Sequence, residues 1–236
     1  MGKIVLVRHA QASLLSAEYD QLSPLGEEQS VVLGRWWAAR GERFDQAWSG
    51  DLQRQRRTGE LSLAQLPAPP ALQIDPRFNE YGHHDVFAAG PNPELVDRVR
   101  LAETLRAAEN PRKLFQQLFS QALESWVRGE GTVDTASGSL TWAGFRQRCM
   151  DALMQVAEQC GSGQSAVVYS SGGAIAAMCQ HLMGLPDARV PALHYAVHNT
   201  SISRLLSRPG HITLSSFNAL PHLEAPGVPE SLITYR

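Results

Sequence analysis

The chain has 236 residues, of which 43% are hydrophobic and 19% are charged, so one large domain or two small ones with a sizeable core are expected. The formal net charge of −2 at pH 7 predicts neither a nucleic-acid-binding surface nor a membrane-binding surface. The 3 cysteines are odd in number and lack CxxC spacing, which argues against a disulfide framework or a zinc site and favours buried free thiols.

The N-terminal sequence MGKIVLVRHA places one lysine before an apolar run that is too short for a signal peptide. No apolar run in the chain approaches the ~20 residues that are needed to cross a bilayer. From these two observations we expect a cytoplasmic protein that makes no contact with membranes.

Strands and helices are predicted to alternate along most of the chain. The predicted strands cover residues 3–8, 45–49, 71–75, 165–170, 199–206 and 211–217. The predicted helices cover residues 24–40, 51–66, 93–108, 111–128, 141–159 and 172–183. Ser23 and Pro24 suit the start of the first helix, and Gly41 suits its end.

The segment 76–92 (PRFNEYGHHDVFAAGPN) is rich in polar and turn residues, and we interpret it as a loop. A Gly/Ser/Thr-rich break at 129–140 separates the helices that follow. Because no low-complexity linker flanks residues 76–140, we interpret them as a helical cap inserted into a single domain that spans residues 1–236.

The alternation of strands with helices predicts an α/β sandwich with a mostly parallel sheet. In such sheets, functional sites lie beyond the carboxyl ends of the strands. The turns after strands 3–8 and 165–170 therefore converge if those two strands are neighbours.

The turn after the first strand offers Arg8 and His9 side by side. A lone histidine is more often a satisfied structural residue, but a second segment, SGDLQRQRRTGE, supplies further arginines. Arg54 is placed to point back toward the strand ends, whereas Arg56 and Arg57 are interpreted as a solvated basic face. Guanidinium groups bind phosphate through paired hydrogen bonds, so arginines that flank a histidine indicate a phosphate pocket.

The turn after strand 165–170 has the sequence SSGGAIAAM, in which Ser171, Gly172 and Gly173 precede a predicted helix. Free backbone N–H groups and the helix dipole make such a start an anion site. Close backbone packing explains a pair of glycines equally well, so this feature is weak evidence by itself.

The segment RFNEYGHHD brings Glu80, His83, His84 and Asp85 together. Exposed polar side chains explain such a group more often than a metal site does. A carboxylic acid here has a third possible role. Burial beside a phosphate would raise its pKa, and it would then protonate a leaving oxygen.

Together these residues outline a phosphoryl transfer. A neutral His9 attacks phosphorus in line and forms a phosphohistidine. Arg8 and Arg54 neutralise the charge that develops on the oxygens. Glu80 protonates the leaving alcohol and then accepts a proton from water. No metal and no cofactor are expected, because the arginines supply the positive charge.

At these residues the chain resembles the histidine phosphatase superfamily, also called phosphoglycerate mutase-like. VRHAQAS resembles the family's Arg-His-Gly signature, with Ala10 in the glycine position, and LSPLGEEQS resembles the motif that opens the first helix. SGDLQRQRRT and RFNEYGHHD resemble the segments that hold the second arginine and the acid. VVYSSGGAIAA and HNTSISRL resemble the end of the fourth strand and the Asn-x-Ser strand. These motifs span nearly the whole chain in the family's order.

The resemblance implies a three-layer α/β/α sandwich with a six-stranded sheet. The residues that it assigns to catalysis, with the roles outlined above, are Arg8, His9, Arg54 and Glu80. The residues that we add to phosphate binding are Gln11, Ser171 and Gly172.

The sequence departs from the family where a second catalytic histidine is usual, because Ser171 stands there. A serine donates one neutral hydrogen bond, and the loss of a strong transition-state donor typically costs ~3–4 kcal/mol, so we expect a slow enzyme. His83 or His84 in the acid segment, or else His198, is a candidate to fill the place. Leu15 stands where many members have an asparagine that contacts phosphate.

We therefore expect a histidine (acid-type) phosphatase, independent of metals, that hydrolyses a small phosphorylated substrate. One alternative is a catalytically weak or inactive domain that binds phosphate or another protein. A phosphoglycerate mutase-type phosphotransferase ranks lower, because residues 76–140 show no obvious basic cluster. Neither nucleic acid nor a membrane is expected as a partner, and a homodimer is left open.

Overall fold

Strands and helices alternate from β1 to β3, and the later elements include runs of helices and pairs of strands. The computed structural model describes residues 1–13, 20–131, 133–135 and 138–235, with side chains at all of these except 83–85, 98, 112, 133–135 and 138–140. Its strands are β1 (Gly2–Arg8), β2 (Gln46–Ser49), β3 (Leu72–Ile74), β4 (Val133–Thr135), β5 (Gly138–Leu140), β6 (Ser165–Ser170), β7 (Ile202–Arg208) and β8 (His211–Ala219). Its helices are α1 (Pro24–Ala39), α2 (Gln53–Leu63), α3 (His83–Ala88), α4 (Arg98–Arg106), α5 (Pro111–Val127), α6 (Trp142–Gln159), α7 (Gly172–Met183) and α8 (Val190–Ala196). None of the described helices is both long and apolar enough to span a membrane.

The main sheet has six strands in the order β3-β2-β6-β1-β7-β8. The first four strands in this order are parallel, and β7 is antiparallel to both of its neighbours. The predicted, mostly parallel sheet of six strands is therefore confirmed. β4 and β5 form a separate two-stranded sheet.

Side chains of β1 point alternately into two cores on opposite faces of the sheet, as the two-residue period of a strand requires. Val5 and Val7 share a buried cluster with side chains of α1 and α2. Ile4 and Leu6 share another with side chains of α6 and α7. Because helices cover both faces of the sheet, the architecture is the expected three-layer sandwich.

The first helix begins and ends where its sequence predicts. The Ser23 hydroxyl accepts a hydrogen bond from the Gly26 N–H at 3.0 Å, and Pro24 occupies the first turn. Gly41 follows the last turn with a φ of +64°, a conformation that glycine adopts without steric cost. The predicted bounds of this helix are confirmed to within one residue.

The chain between β3 and α6 contains more regular structure than predicted. The helix α3 lies within the segment 76–92, so the prediction of a loop is wrong at residues 83–88. The helix predicted over 93–108 is divided into a 3-10 turn at Pro93–Val96 and α4. The strands β4 and β5 lie within the predicted break. Elements of three to six residues are too short to show a hydrophobic period, and the role of this segment as a cap stays a prediction.

The three cysteines are free and buried, which confirms the prediction from their number and spacing. Burial raises the pKa of Cys149 and that of Cys179 to about 12. Both thiols are therefore neutral at physiological pH and are inert as nucleophiles.

The segment that follows β8 packs against α1. It contributes three leucines to a buried cluster with side chains of α1: Leu220, Leu223 and Leu232. Gln29 of α1 is fully buried and donates from its side-chain amide to the Leu232 carbonyl at 2.7 Å. The segment is anchored by these contacts, although its proline content predicts an irregular tail.

His222 is a fully buried histidine at the start of this segment. The Thr200 hydroxyl donates to the Asn199 carbonyl, so it accepts a hydrogen bond from His222 Nε2, 2.9 Å away. Among the described residues, His222 Nδ1 has no hydrogen-bond partner. Burial lowers the pKa of His222 to about 3, because a proton on Nδ1 would bring an uncompensated charge into the core.

The neutral His222 predicts a loss of stability at mildly acidic pH. The unfolded chain protonates His222 near pH 6.5, and the folded chain does so only near pH 3. The contribution of the neutral His222 to stability is therefore complete above pH 6.5 and is lost as the pH falls. Protonation of His222 in the unfolded chain lowers the free energy of unfolding by about 2 kcal/mol between pH 6.5 and about pH 5. Denaturant unfolding at both pH values should show this loss in the wild type and not in His222→Gln. His211→Gln, at an exposed position, is the matched control, and an unchanged pH dependence in His222→Gln would contradict the prediction.

Candidate active site

The carboxyl ends of β1 and β6 lie side by side at one edge of the sheet. The two strands are parallel, with Arg8 opposite Ser170. The His9 N–H donates to the Ser170 carbonyl at 2.8 Å, which extends the pairing by one residue beyond β1. The two turns that the sequence analysis places at one edge are therefore neighbours.

The imidazole of His9 is held at both of its nitrogens. Nδ1 lies 2.8 Å from the Ala10 carbonyl, and since a carbonyl oxygen only accepts hydrogen bonds, Nδ1 carries the proton. Nε2 then has a lone pair, which accepts a hydrogen bond from Arg54 Nε at 3.2 Å. The unprotonated nitrogen of His9 thus faces a guanidinium group.

Arg54 lies in the first turn of α2 with its side chain turned inward. It is 8% exposed, whereas Arg56 and Arg57 are exposed, so the prediction of a solvated basic face for these two is confirmed. The carboxylate of Asp20 accepts a hydrogen bond from Arg54 Nη1 at 2.7 Å and another from the Gln53 N–H at 2.7 Å. Asp20 therefore fixes the guanidinium relative to the start of α2.

Arg8 lies between the start of α7 and the C-terminal segment. Its Nη1 donates to the Val197 carbonyl and to the Tyr235 carbonyl, the latter at 2.8 Å. A Cβ atom placed on Gly172 would lie 3.6 Å from Arg8 Nε, so the guanidinium lies against the first turn of α7. The helix start and the guanidinium both contribute positive potential to this part of the site.

Glu80 reaches the same edge of the sheet from the segment that follows β3. Its Oε2 accepts a hydrogen bond from the Gly173 N–H at 2.8 Å, and its Oε1 accepts one from the Tyr81 N–H at 3.3 Å. Burial raises the pKa of Glu80 above its ordinary value. The Gly173 N–H and the charges of the two arginines act against this shift without cancelling it. The carboxyl therefore keeps its proton to a higher pH than an exposed glutamate does.

Tyr81 supports the acid from within an aromatic cluster. Its ring packs edge-on against Trp126 and Phe145, with centroid separations of 5.1 Å and 5.2 Å. Burial raises the pKa of Tyr81 well above its ordinary value, so the hydroxyl stays protonated. This hydroxyl lies 3.2 Å from Nδ1 of His194 in α8. The contact connects α8 to the residue next to Glu80.

Ser171 is fully buried at the position where the resemblance leads one to expect a histidine. Its hydroxyl oxygen accepts a hydrogen bond from Gln55 Nε2 at 2.8 Å. Gln55 follows Arg54 on α2 and is also fully buried. Within the part of the chain that the structure describes, the side chain that contacts Ser171 is therefore a neutral amide and not an imidazole.

His198 is the candidate outside the acid segment for the place of the second histidine. Asn218 donates a hydrogen bond to His198 Nδ1 at 3.1 Å, and the ring of Tyr235 lies 4.1 Å from the His198 ring. The side chains of His83 and His84 lie outside the described part of the chain, so their candidacy stays a prediction.

A metal site at the acid segment is the other interpretation that involves these histidines. Among the side chains that the structure describes, no group of three or more His, Cys, Asp or Glu residues is placed to hold a metal ion. The side chains of His83, His84 and Asp85 are not among these, so the interpretation stays open.

Gln11 lies over the start of α1. Its side-chain oxygen accepts a hydrogen bond from the Ser23 hydroxyl at 2.8 Å, and its N–H donates to Gln29 Oε1 at 2.9 Å. Its assignment to phosphate binding stays a prediction, as do the assignments of Ser171 and Gly172. Leu15 lies outside the described residues.

A cavity of ≈ 520 Å³ opens beside Arg8. The side chains that line it are neutral: Gln116, Tyr195, Ile233, Thr234 and Tyr235. The backbone of Tyr235 accepts the hydrogen bond from Arg8, so the cavity adjoins the cationic end of the site.

Three residues that contact the site are not predicted from the sequence: Gln55, Asp20 and His194. Gln55 has a local pattern that could have revealed it, because it shares the buried face of α2 with Thr58 and Ser62 at helical spacing. Asp20 and His194 contact residues 34 and 113 positions away in the sequence. No local pattern indicates such pairs.

A family model describes most of the chain. The model of the histidine phosphatase superfamily (branch 1) matches residues 4–86 and 85–220. Arg8, His9, Arg54, Glu80 and Ser171 all lie within these ranges. No significant match is found among curated proteins.

Several solved structures have a similar fold. A phosphoserine phosphatase from Entamoeba histolytica, in complex with 3-phosphoglyceric acid, is 20% identical with a TM-score of 0.62 over 94% of this chain and 100% of that chain. A phosphoglycerate mutase from Bacillus anthracis is 17% identical with a TM-score of 0.63 over 94% and 95% of the two chains. A mycobacterial glucosyl-3-phosphoglycerate phosphatase is 20% identical with a TM-score of 0.59 over 93% and 99%. At these identities the likeness establishes the fold.

Gly173 is predicted to tolerate no side chain, in contrast to its neighbour Gly172. A Cβ atom on Gly173 would lie 2.3 Å from Glu80 Oε1 and 2.4 Å from a ring carbon of Tyr81, whereas the nearest atom to a Cβ on Gly172 is 3.6 Å away. We expect Gly173→Ala to displace both side chains at a cost of about 1–3 kcal/mol. Thermal unfolding should show a Tm lowered by roughly 2–10 °C for Gly173→Ala and a Tm close to that of the wild type for Gly172→Ala. Equal Tm values for the two variants would show that the acid is not packed against α7 in this way.

Proposed function

The chain belongs to the histidine phosphatase superfamily, branch 1, and from this premise we propose that it is a metal-independent phosphatase that hydrolyses small phosphomonoesters through a phosphohistidine at His9. The observation that carries the proposal is the orientation of the His9 imidazole. Its Nδ1 donates a hydrogen bond to the Ala10 carbonyl, so Nε2 keeps its lone pair. An imidazole fixed in this tautomer attacks phosphorus without the help of a separate base.

In the first step, the lone pair of His9 Nε2 attacks phosphorus. A nitrogen–phosphorus bond forms while the bond between phosphorus and the ester oxygen breaks. The proton of the Glu80 carboxyl passes to the departing oxygen, so the alcohol leaves as a neutral molecule. The raised pKa of Glu80 supports this role, because it increases the protonated fraction of the carboxyl near neutral pH.

In the second step, the Glu80 carboxylate accepts a proton from a water molecule whose oxygen attacks phosphorus. The nitrogen–phosphorus bond breaks, its electron pair returns to Nε2 of His9, and inorganic phosphate is released. The hydrogen bond from the Gly173 N–H to Glu80 supports this cycle, because it stabilises the carboxylate between the two steps.

Arg8 and Arg54 are proposed to bind the phosphoryl oxygens from two sides. Arg54 Nε lies 3.2 Å from His9 Nε2, so its charge is next to the atom that receives phosphorus. The guanidinium of Arg8 lies against the start of α7, where the helix dipole also favours an incoming anion. These groups stabilise the negative charge of the transferred group where a metal ion does so in other phosphoryl transfer enzymes.

The alcohol part of the substrate is proposed to lie in the cavity beside Arg8. Its neutral lining favours recognition by hydrogen bonds and ring contacts over ion pairing. Similar structures hold phosphoserine or 3-phosphoglyceric acid, which supports a small phosphorylated molecule as the substrate class.

Removal of the nucleophile tests the proposed function. The wild type should hydrolyse p-nitrophenyl phosphate or members of a panel of phosphorylated metabolites, and His9→Ala should lose at least about 10³-fold in kcat. Rapid quenching of the wild type should trap a phosphoprotein that survives alkali and is lost in acid, as expected for a phosphorus–nitrogen bond. His181→Ala, at an exposed position, is the control. Hydrolysis that is absent, or unchanged by His9→Ala, would refute the proposal.

The role of Glu80 as the acid predicts a dependence on the leaving group. Glu80→Gln should lower kcat/KM by about 10²–10⁴-fold for an alkyl phosphate and far less for p-nitrophenyl phosphate, whose phenolate leaves without a proton. Wild-type activity toward the alkyl ester should also fall as the pH rises through the raised pKa of Glu80, since the acid is then deprotonated. Equal losses toward both esters would exclude Glu80 as the proton donor.

A further inference from the structure

The hydrogen bonds around Gln55 determine the direction in which the Ser171 hydroxyl donates. Gln55 Nε2 lies 3.2 Å from the Phe78 carbonyl and 2.8 Å from Ser171 Oγ. A carbonyl only accepts, so the amide atom that faces Phe78 is the nitrogen. Both protons of this nitrogen are then used, one on Phe78 and one on Ser171. The oxygen of Ser171 therefore accepts, and its own proton is left to be donated elsewhere.

No described residue accepts the proton of Ser171, which lies at the start of α7 with no capping hydrogen bond from its side chain. The hydroxyl is fully buried, so bulk solvent does not satisfy it. A buried donor of this kind indicates a partner outside the described part of the chain.

The position of Ser171 identifies the kind of partner. On one side, Gln55 is adjacent in sequence to Arg54, which contacts the reactive nitrogen of His9. On the other side, Gly172 follows Ser171 and lies against the guanidinium of Arg8. Ser171 is therefore connected through neighbouring residues to both of the arginines that are proposed to hold phosphate, and a phosphoryl oxygen held by them is the acceptor that this connection favours.

Gly50 provides the space for the Gln55 amide. A Cβ atom on Gly50 would lie 2.0 Å from Gln55 Oε1, so a side chain at position 50 would displace the Gln55 amide. Among the described residues, Gln55 Oε1 has no hydrogen-bond partner, although it is buried. An unsatisfied buried acceptor costs about 1–3 kcal/mol, so this orientation of the amide is unfavourable for stability.

We propose that Gln55 is a positioning residue that turns the Ser171 hydroxyl toward the transferred phosphoryl group. Ser171 then supplies one directed hydrogen bond to a phosphoryl oxygen in the transition state. The inference rests on the proposed phosphatase function, and it assigns to this pair the place of the histidine that the family usually carries.

A double-mutant cycle on Gln55 and Ser171 tests the coupling. Ser171→Ala removes the hydroxyl. Gln55→Met keeps the length and burial of the side chain but removes the donor, and the Phe78 carbonyl keeps its hydrogen bond from the Ser170 hydroxyl at 2.7 Å. The measurements are kcat and KM for p-nitrophenyl phosphate and, by calorimetry, the affinity for orthovanadate, which reports anion binding without turnover.

Ser171→Ala should lower kcat about a hundredfold and Gln55→Met about tenfold, with KM changed little, because the donor acts mainly in the transition state. The affinity for vanadate should fall in both variants. The double variant should be no worse than Ser171→Ala, since Gln55 acts only through the hydroxyl.

Gln180→Met is the matched control, because Gln180 is a buried glutamine of α7 with hydrogen bonds to Leu185 and Asp187 away from the site. It should lower Tm as much as Gln55→Met does without lowering kcat. Additive losses in the cycle, or a kcat of Gln55→Met equal to that of the control, would overturn the inference. If hydrolysis does not depend on His9, the proposed function fails. The vanadate affinities of the two single variants and the double variant still decide whether Gln55 and Ser171 are coupled. A wild type that does not bind vanadate would overturn both.

Discussion

The parallel pairing of β1 with β6 is the constraint on which the whole site depends. Its register sets Arg8 opposite Ser170, and the hydrogen bond from the His9 N–H to the Ser170 carbonyl carries that register into the two turns. β2 pairs with the other edge of β6, so the helix that follows β2 presents Arg54 to His9. A slip of one residue between β1 and β6 would move the side chains to opposite faces of the sheet and separate these groups.

The electrostatics of the site connect its protonation to the binding of an anion. Two guanidinium groups face two carboxyl groups, Asp20 and Glu80, so the formal charges cancel when both acids are ionised. Protonation of Glu80 leaves an excess of one positive charge among these four groups. An incoming phosphate and a proton on Glu80 therefore favour each other. In the proposed mechanism, the form that binds the ester is then also the form that holds the proton needed by the leaving group.

The predictable part of this structure is the part that local sequence patterns determine. The six predicted strands and the ends of α1 follow from hydrophobic runs and from capping residues, and each matches to within a few residues. The convergence of Arg8 and His9 with Ser171 follows from one topological rule about the carboxyl ends of parallel strands. The helix α3 and the strands β4 and β5 could not be predicted in this way, because their order comes from tertiary contacts and not from their own periodicity.

The histidine missing at position 171 illustrates why a site is harder to predict than a fold. The Gln55 amide lies 2.8 Å from the Ser171 hydroxyl and so occupies the space next to it. The Gln55 amide in turn occupies space that a side chain at position 50 would enter, and position 50 is a glycine. The three residues are separated by 5 and by 116 positions, and each is unremarkable alone. Position 171 therefore cannot be interpreted as a lost catalytic residue by itself. In the proposed mechanism, the side chain that fills the volume beside it determines whether a serine suffices, and only the packed structure identifies that side chain.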